Sequence, residues 1–244
     1  MSLEGASVLV TGGTRGIGLA IAHRLVRDGA TRAVLGYLRN DDAAETAAAE
    51  IRGAGAEVDL VRGNVAAEST VGKLAAAGPY RVVVHNAATG VIRPALETED
   101  KHWDWTLNAN ARSLLALARA TAPAMERGSA IVAISSLGAG RVLDNYVLIG
   151  TSKAALEAVV RYLGVELAPR GVRVNAVSAG VVETEALDWF PNKDAMLATV
   201  DRTPAGRLVE PADVAAAVSF LCSGDAAMVC GQTLVVDGGF SLKA

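Results

Sequence analysis

The 244-residue sequence has little of what marks metal-bound, membrane-embedded or nucleic-acid-binding proteins. Its two cysteines, Cys222 and Cys230, lack the spacing of a metal site. No uncharged apolar run is long enough to cross a bilayer, and the first residues lack a basic segment followed by a long apolar run. The net charge is −3, and the basic residues are dispersed, which argues against a nucleic-acid or anionic-membrane surface. We therefore expect a cytoplasmic protein without metal, whose partners are small molecules.

The composition predicts one folded domain across residues 1–244. Apolar residues make up 51% of the chain and charged residues 20%, which is too apolar for a disordered protein. No shift in composition, internal repeat or low-complexity linker divides the chain. A chain of this length can bury one large core, so we expect a single domain.

The hydrophobic pattern alternates between short apolar runs and stretches with helical spacing. The apolar runs predict strands at residues 7–10, 33–37, 58–62, 81–85, 130–134, 172–177 and 233–236. Helical spacing directly after the segment 11–18 predicts the first helix. The same spacing predicts further helices at residues 42–52, 68–76, 98–125, 146–168 and 211–221. Apolar strands separated by helices indicate a parallel sheet covered on both faces. The sequence therefore predicts an α/β fold with a doubly wound parallel sheet.

The segment 11–18 predicts a site for a dinucleotide cofactor. It is rich in glycine, follows the first strand and opens the first helix, so its backbone amides could approach a pyrophosphate closely. The expected cofactor contacts in this turn are Gly12, Thr14, Arg15, Gly16, Ile17 and Gly18. Arg39 follows the second strand, where an arginine favours the extra phosphate of NADPH and an acidic residue favours NADH. Arg15 and Arg39 together favour NADPH, against which stand Asp41 and Asp42 and the alternative of two solvated surface cations.

Tyr146 and Lys153 are seven residues apart in a predicted helix. Seven helical steps come to about 700°, so the two side chains would share one face about 10.5 Å apart along the axis. That arrangement suggests proton transfer beside a bound cofactor. For an isolated pair, the alternative is a half-buried tyrosine and a solvated lysine at a helix start.

Segments spread along the chain together resemble the motifs of short-chain dehydrogenases/reductases. The similar segments are Thr11 to Gly18, Asn64-Val65, Asn86-Ala87-Ala88, Asn110, Ser136, the helix with Tyr146 and Lys153, and residues 179–184. The resemblance implies a Rossmann fold with seven strands and a homotetramer. It also implies cofactor contacts at Asn64, Val65, Asn86, Ala87, Lys153, Gly180, Val182 and Thr184, and a catalytic set of Asn110, Ser136, Tyr146 and Lys153. Two positions depart from the pattern, since His85 replaces a second asparagine and Ala179 replaces a proline.

The spacing of tyrosine and lysine also departs from the usual Tyr-x-x-x-Lys of that family. The usual spacing would place the tyrosine at position 149, where this chain has Ile149, which cannot donate a proton. The longer spacing from Tyr146 to Lys153 resembles the enoyl-acyl-carrier-protein reductase branch instead. Residues 86–94, 102–105, 134–138, 203–207 and 231–239 are similar to the NADPH-dependent type III bacterial members of that branch. The resemblance thus implies reduction of a trans-2-enoyl thioester on an acyl carrier protein.

A physical reason connects the spacing to the reaction. In carbonyl reduction, the atom that takes the proton is bonded to the carbon that takes the hydride. In enoyl thioester reduction, negative charge develops on the thioester oxygen, two carbons beyond the carbon that takes the hydride. Moving the tyrosine three residues towards the helix start shifts it by about 4.5 Å, provided that the helix extends that far. A tyrosine further out therefore favours a C=C bond over a C=O bond.

The resemblance implies a role for each catalytic residue. Lys153 would hold the nicotinamide ribose and add positive charge, while Tyr146 would hydrogen-bond the thioester oxygen and donate a proton. Asn110 and Ser136 would steady the helix, a water chain or the substrate oxygen. For Ser136, a satisfied buried hydroxyl is the alternative, and Ser135 is a rival for the same role.

Residues 185–207 form the least regular long segment and predict a substrate-binding loop or lid, with a plain surface excursion as the alternative. Phe190, Met196 and Leu197 are candidates for an acyl-chain wall, or for core or lid packing. Trp103 and Trp105 are expected to pack a helix rather than to form an acyl platform. Two further functions stay open, namely a 3-ketoacyl or polyketide carbonyl reductase and a cofactor-binding sensor without turnover.

Overall fold

The computed structural model describes residues 3–185, 187 and 193–243. The strands are β1 (Ser7–Thr11), β2 (Arg32–Tyr37), β3 (Glu57–Arg62), β4 (Val82–His85), β5 (Ala130–Ser136), β6 (Arg173–Ala179) and β7 (Thr233–Val236). The α-helices are α1 (Gly16–Arg27), α2 (Asp41–Gly53), α3 (Glu68–Ala76), α4 (Asp100–Leu107), α5 (Ser113–Thr121), α6 (Val147–Leu167), α7 (Lys193–Leu197) and α8 (Pro211–Cys222). The predicted alternation of strands and helices is confirmed.

The seven strands form one parallel sheet in the order β3-β2-β1-β4-β5-β6-β7. The chain runs outward from β1 to β3 and then returns to place β4 on the other side of β1. Strand order reverses between β1 and β4, and this reversal opens a crevice at the carboxyl ends of those strands. The glycine-rich turn after β1 and the loop after β4 both lie at that crevice.

Two apolar layers cover the faces of the sheet. Successive strand residues point to opposite faces, so Val8 and Val10 enter one layer and Leu9 enters the other. Residues of α1, α2 and α8 fill the first layer, while residues of α3, α5 and α6 fill the second. The predicted doubly wound sheet with helices on both faces is therefore confirmed.

The long helical stretch predicted over residues 98–125 is confirmed, since the chain is helical without interruption over residues 100–124, but the stretch is not one regular α-helix. The chain forms α4, then a π-helical segment at Asn108–Arg112, then α5 and a short 3-10 turn at Ala122–Ala124. Asn110 lies within the π-helical segment with its side chain fully buried. Its amide bonds the backbone of Thr89, and periodicity alone does not reveal such a contact. The wider π turn accompanies the contact of Asn110 with the loop after β4.

The predicted lid lies only partly within the described residues. Trp189, Phe190, Pro191 and Asn192 are outside them. The described part contains α7 and a 3-10 turn at Ala198–Arg202, which leads to Thr203. The Thr203 hydroxyl donates to the Thr199 carbonyl at 2.9 Å, and Thr203 itself is buried. This part of the segment is thus helical and ends against the body of the domain.

Within the described ranges, no helix combines the length and apolar character needed to cross a membrane. The same residues contain no group of three or more His, Cys, Asp or Glu side chains placed to hold a metal ion. Cys222 is a buried free thiol and Cys230 is a half-buried one.

Candidate active site

The glycine-rich turn after β1 is packed so tightly that larger residues would not fit. Gly12 and Gly16 have φ angles of 64° and 51°, which glycine adopts without strain. A Cβ on Gly18 would lie 2.1 Å from the Gly12 carbonyl oxygen and 2.6 Å from Nδ2 of Asn86. Glycine is therefore required for the turn to fold back against the start of α1.

Thr11 and Asn86 join this turn to the end of β4. The Thr11 hydroxyl accepts from the backbone amides of Asn86 and Ala87 at 3.0 and 3.1 Å. The Asn86 side chain donates to the Thr11 and Gly12 carbonyls at 3.1 and 3.0 Å. Asn86 and Ala87, both predicted cofactor contacts, thus form one side of the crevice.

The start of α1 has free capacity for an anion. Arg15 occupies the N-cap with an extended backbone, its side chain makes no capping hydrogen bond, and the first turn has no acidic residue. Backbone amides at such a helix start attract phosphate groups. Thr14 is buried beside it, and Ile17 packs against the first apolar layer. The turn therefore has the geometry that a pyrophosphate requires.

The segment after β6 forms the opposite wall. Gly180 donates its amide to the Val236 carbonyl at 2.9 Å, and Val182 pairs with Val209 as an isolated bridge. The Thr184 methyl group lies 3.5 Å from the point that a Cβ on Gly16 would occupy. Thr184 therefore lies beside the glycine turn, and the other two predicted contacts, Gly180 and Val182, precede it in the same segment.

Charged residues lie beyond β2 and β3, at the end of the crevice where the sequence predicts the adenosine of the cofactor, which we call the adenosine end. Arg39 is exposed in the loop after β2, and Asn64 and Val65 lie in the loop after β3. Asp41 accepts hydrogen bonds from the Tyr37 hydroxyl at 2.8 Å and from Arg62 at 2.9 Å, so its carboxylate is already engaged. Across the turn, Arg15 forms an exposed ion pair with Glu185 at 3.5 Å. Arg39 has no ion pair with any residue that the structure describes.

Tyr146 does not lie in the helix, so the expected shared helical face is wrong. Asn145 has a left-handed backbone with φ 59°, and Tyr146 is the N-cap of α6. The helix begins at Val147, and its first hydrogen bond runs from the Gly150 amide to the Tyr146 carbonyl at 2.7 Å. The 4.5 Å displacement calculated for a continuous helix therefore does not apply at Tyr146.

The Tyr146 hydroxyl nevertheless reaches the carboxyl end of β5. It lies 3.3 Å from the Ser136 hydroxyl, which also accepts from the Gly138 amide at 3.3 Å. A Cβ on Gly138 would lie 2.6 Å from the Tyr146 ring, so this glycine leaves room for the ring. Burial raises the pKa of Tyr146 and the Ser136 hydrogen bond opposes that rise, so the phenol is protonated at neutral pH.

Lys153 reaches the same strand from the second turn of α6. Its ammonium is buried and donates to the Ile134 carbonyl at 2.8 Å. Desolvation lowers the pKa of Lys153 to about 8, while the charge of Glu157 acts in the opposite direction. Ile134 and Ser136 are two residues apart on β5, about 6.6 Å along the strand. The partners of Lys153 and Tyr146 are thus neighbours at one strand end.

Asn110 holds this arrangement together. Its side-chain oxygen accepts from the Thr89 amide, and its nitrogen donates to the Thr89 carbonyl and the Ser152 hydroxyl, each at 2.8 Å. Both of its donor hydrogens are therefore used inside the protein. In this structure Asn110 ties the loop after β4 to α6, immediately before Lys153.

Position 149, four residues before Lys153, is filled by an apolar side chain. Ile149 is 8% exposed and packs over Gly90, where an added Cβ would lie 2.3 Å from the Ile149 Cγ1. The other tyrosines are engaged elsewhere or exposed. Tyr80 is buried and its hydroxyl donates to the Leu74 carbonyl, while Tyr162 is 80% exposed. The remaining tyrosine, Tyr37, bonds Asp41 at the adenosine end. Of the four tyrosines, Tyr146 is the one that reaches Ser136.

The structure separates the two candidate serines. Ser136 faces Tyr146, whereas the Ser135 hydroxyl donates to a carboxylate oxygen of Glu157 at 2.6 Å. The sequence motifs did not identify Glu157, although its position four residues after Lys153 places it on the same helical face. They also gave no role to His85, which is fully buried with Nε2 2.6 Å from the Ser113 hydroxyl. Burial lowers the pKa of His85 to about 3, with a smaller contribution from Lys153, so the imidazole is neutral.

The candidates for an acyl pocket are only partly placed. Trp103 and Trp105 on α4 are each 46% exposed, so neither is a buried packing residue. Met196 and Leu197 are half-buried on α7. Phe190 lies outside the described residues.

These features form one crevice with two chemical ends. Backbone amides and Arg15 at the glycine turn, together with Arg39 after β2, provide anion-binding groups, and a protonated phenol and a buried ammonium lie at the end of β5. The arrangement fits a nicotinamide dinucleotide lying along the crevice, with a proton donor beside its reactive end.

Comparison with known proteins gives matches over nearly the whole chain. A family model described as enoyl-(acyl carrier protein) reductase matches residues 12–241. The 1-cyclohexenylcarbonyl-CoA reductase of Streptomyces collinus is 36% identical over 97% of this chain and 87% of its own length. The L-xylulose reductase of Mesocricetus auratus is 34% identical over 98% of each chain. A short-chain dehydrogenase from Burkholderia cenocepacia J2315, solved in complex with NADP, is 31% identical with a TM-score of 0.91, covering 99% of this chain and 100% of that one.

Proposed function

This chain belongs to the short-chain dehydrogenase/reductase superfamily of oxidoreductases, and on that basis we propose that it reduces the C=C bond of trans-2-enoyl thioesters with NADPH. The observation that carries the proposal is the identity of the proton donor. Tyr146, at the N-cap of α6, supplies the hydroxyl beside Ser136, while the position four residues before Lys153 holds buried Ile149. Because the usual donor position is apolar, the proton comes from a tyrosine that precedes the helix, and such a donor suits a substrate whose charged oxygen is remote from the reduced carbon.

The residues of the crevice fit NADPH. The amides of the glycine turn and the start of α1 would hold the pyrophosphate, and Arg39 with Arg15 would hold the extra phosphate. The similar Burkholderia cenocepacia dehydrogenase was solved in complex with NADP, which supports this choice. NADPH supplies the hydride in reductions of this kind.

Each catalytic residue then has a defined task. The Tyr146 phenol hydrogen-bonds the thioester oxygen and stabilises the enolate as charge develops there. Its raised pKa keeps the proton in place until the substrate oxygen becomes basic. Ser136 orients that hydroxyl, and Lys153 places its positive charge at the end of β5. Asn110 positions α6 through Ser152 without using any donor for the substrate.

The relatives support two different bond types. The Streptomyces collinus enzyme is named for 1-cyclohexenylcarbonyl-CoA, a thioester conjugated to a C=C bond, which favours the enoyl reaction. The L-xylulose reductase is named for a sugar ketone and favours a second candidate, reduction of a 3-ketoacyl or polyketide carbonyl. Ile149 argues against the second candidate because it supplies no proton at the usual tyrosine position.

We also propose an acyl carrier protein as the thioester carrier and a homotetramer as the assembly. Exposed apolar side chains on the outer face of α6 and on the edge strand β7 support association of copies. These side chains are Tyr162, Val165, Leu234 and Val235. Analytical ultracentrifugation separates a tetramer from a monomer, and a monomer would contradict this assembly.

A comparison of thioesters tests the proposed reaction. Purified protein is mixed with NADPH and either crotonyl or acetoacetyl thioester, each on coenzyme A and on acyl carrier protein, while cofactor absorbance is followed. We expect oxidation of NADPH with the crotonyl thioesters and a faster rate with the acyl carrier protein. Consumption with acetoacetyl thioester alone would select carbonyl reduction. NADPH binding without turnover of any thioester would support a sensor.

A further inference from the structure

Lys153 and Glu157 are both attached to the end of β5, one helical turn apart. Lys153 donates to the carbonyl of Ile134 at 2.8 Å, and Glu157 accepts from the hydroxyl of Ser135 at 2.6 Å. Ile134 and Ser135 are consecutive strand residues, and Lys153 and Glu157 are four residues apart on one helical face. The helix therefore contacts two consecutive residues of the strand end, one through a cationic side chain and the other through an anionic one.

We infer that Glu157 is a positioning residue: bound to Ser135, one strand residue from the carbonyl that binds Lys153, its carboxylate stabilises the Lys153 ammonium at the end of β5. The inference rests on the proposed function, since it assigns a task to a residue that supports the Lys153 of that site. Glu157 is half-buried and reaches neither Ser136 nor Tyr146 through any hydrogen bond that the described residues show. It acts through Lys153 rather than on the substrate.

The charged surroundings of Lys153 explain why this carboxylate matters. From β4, the buried imidazole of His85 is neutral and so adds no second positive charge near the ammonium. From the start of α6, Tyr146 contributes a protonated phenol. Glu157 is the carboxylate whose charge raises the pKa of Lys153 against the effect of burial. A buried ammonium without an opposing charge releases its proton more easily.

Two variants separate the charge of Glu157 from its hydrogen bond. Glu157→Gln keeps nearly the same shape and can still accept from Ser135, but it removes the negative charge. Ser135→Ala removes the hydrogen bond and keeps the charge. Glu157→Asp keeps the charge on a shorter side chain. The measured quantity is kcat/KM for NADPH between pH 6 and 10. The alkaline limb of this pH profile reports the pKa values of essential groups in the free enzyme.

We expect Glu157→Gln to move the alkaline limb of the profile down by about 0.5 to 1 pH unit, because loss of a nearby opposite charge disfavours the ammonium. Ser135→Ala and Glu157→Asp should keep the limb within about 0.3 unit of its original position, since both retain the carboxylate. If Glu157→Gln and Ser135→Ala lose activity equally and the alkaline limb moves in neither variant, the contact is merely structural and the inference is overturned.

A second readout keeps this result separate from the proposed reaction. Absence of turnover in the unsubstituted protein would refute the proposed function. The pH dependence of NADPH affinity, measured by fluorescence titration, then tests Glu157 without catalysis. The inference is supported if NADPH affinity is lost at a lower pH in Glu157→Gln than in the unsubstituted protein, but not in Ser135→Ala. Superimposable curves of NADPH affinity against pH for the three proteins overturn it.

Discussion

The two ends of the crevice are formed by different kinds of groups, backbone at one end and side chains at the other. At the glycine turn, backbone groups that are close in sequence line the crevice, and Gly12 and Gly18 permit their close approach. At the end of β5, side chains from distant segments meet, such as Lys153 with Ile134 and Asn110 with both Thr89 and Ser152. The first end depends on residues too small to obstruct the backbone, and the second depends on specific functional groups.

This difference predicts that binding and chemistry can be disturbed separately. A substitution at the glycine turn should weaken the cofactor complex whichever thioester is offered. A substitution of a functional group at the end of β5 should slow the reaction while the cofactor still binds. Measurements of NADPH affinity and of turnover on the same variants therefore test whether the two ends are as independent as their construction suggests.

The largest effect is expected from Tyr146→Phe. This change removes the hydroxyl beside Ser136 and keeps the ring that packs against Gly138. Loss of a positioned proton donor typically slows turnover by about 10²- to 10⁴-fold. We expect a decrease of that size in kcat with the reducible thioester, while the NADPH dissociation constant changes by less than about twofold.

Tyr162→Phe is the matched control, since it removes the hydroxyl of a tyrosine of α6 that is 80% exposed and keeps the apolar ring that the proposed association of copies would use. It should leave both kcat and NADPH affinity unchanged. A Tyr146→Phe variant with undiminished turnover would contradict its role as proton donor, and one that loses NADPH affinity equally would contradict the separation of the two ends.

Gly18→Ala should have the next largest effect, and at the opposite end. The added methyl group would lie 2.1 Å from the Gly12 carbonyl oxygen, so the turn must move away from the start of α1. We expect NADPH affinity measured by calorimetry to fall at least about 100-fold, equivalent to about 2.8 kcal/mol. Gly72→Ala in α3 is the control because its added methyl group meets nothing within 4 Å. Retained affinity in a folded Gly18→Ala protein would show that the turn does not require this packing.

How much the sequence predicts follows the same division. The glycine turn and the doubly wound parallel sheet in a single domain follow from local patterns. Each depends on apolar periodicity or on glycine at a turn. The π-helical turn at Asn108–Arg112 does not, because it accompanies contacts between Asn110 and Thr89, 21 residues apart. Periodicity also placed Tyr146 inside α6, while the left-handed Asn145 makes it the N-cap.

The choice of Ser136 over Ser135 shows why the chemical end resists prediction. The two serines are adjacent in sequence, and both lie near the end of β5. Only the alternation of the strand, combined with where α6 packs, directs one towards Tyr146 and the other towards Glu157. Pairings of this kind arise from tertiary packing, which no local pattern encodes.

Arg39→Ala should have the smallest effect and should sharpen the division within the cofactor end itself. Arg15 is engaged with Glu185, whereas Arg39 is exposed without an ion pair to any described residue and lies beyond β2, where the extra phosphate of NADPH is expected. Its loss removes charge-assisted hydrogen bonds that NADH cannot make. We expect NADPH affinity to fall about tenfold, a screened surface contribution, with NADH affinity unchanged. Arg27→Ala, which removes one positive charge from the last turn of α1, controls for net charge. An equal loss for both cofactors in Arg39→Ala would mean that this arginine supports the fold of the turn rather than the choice of cofactor.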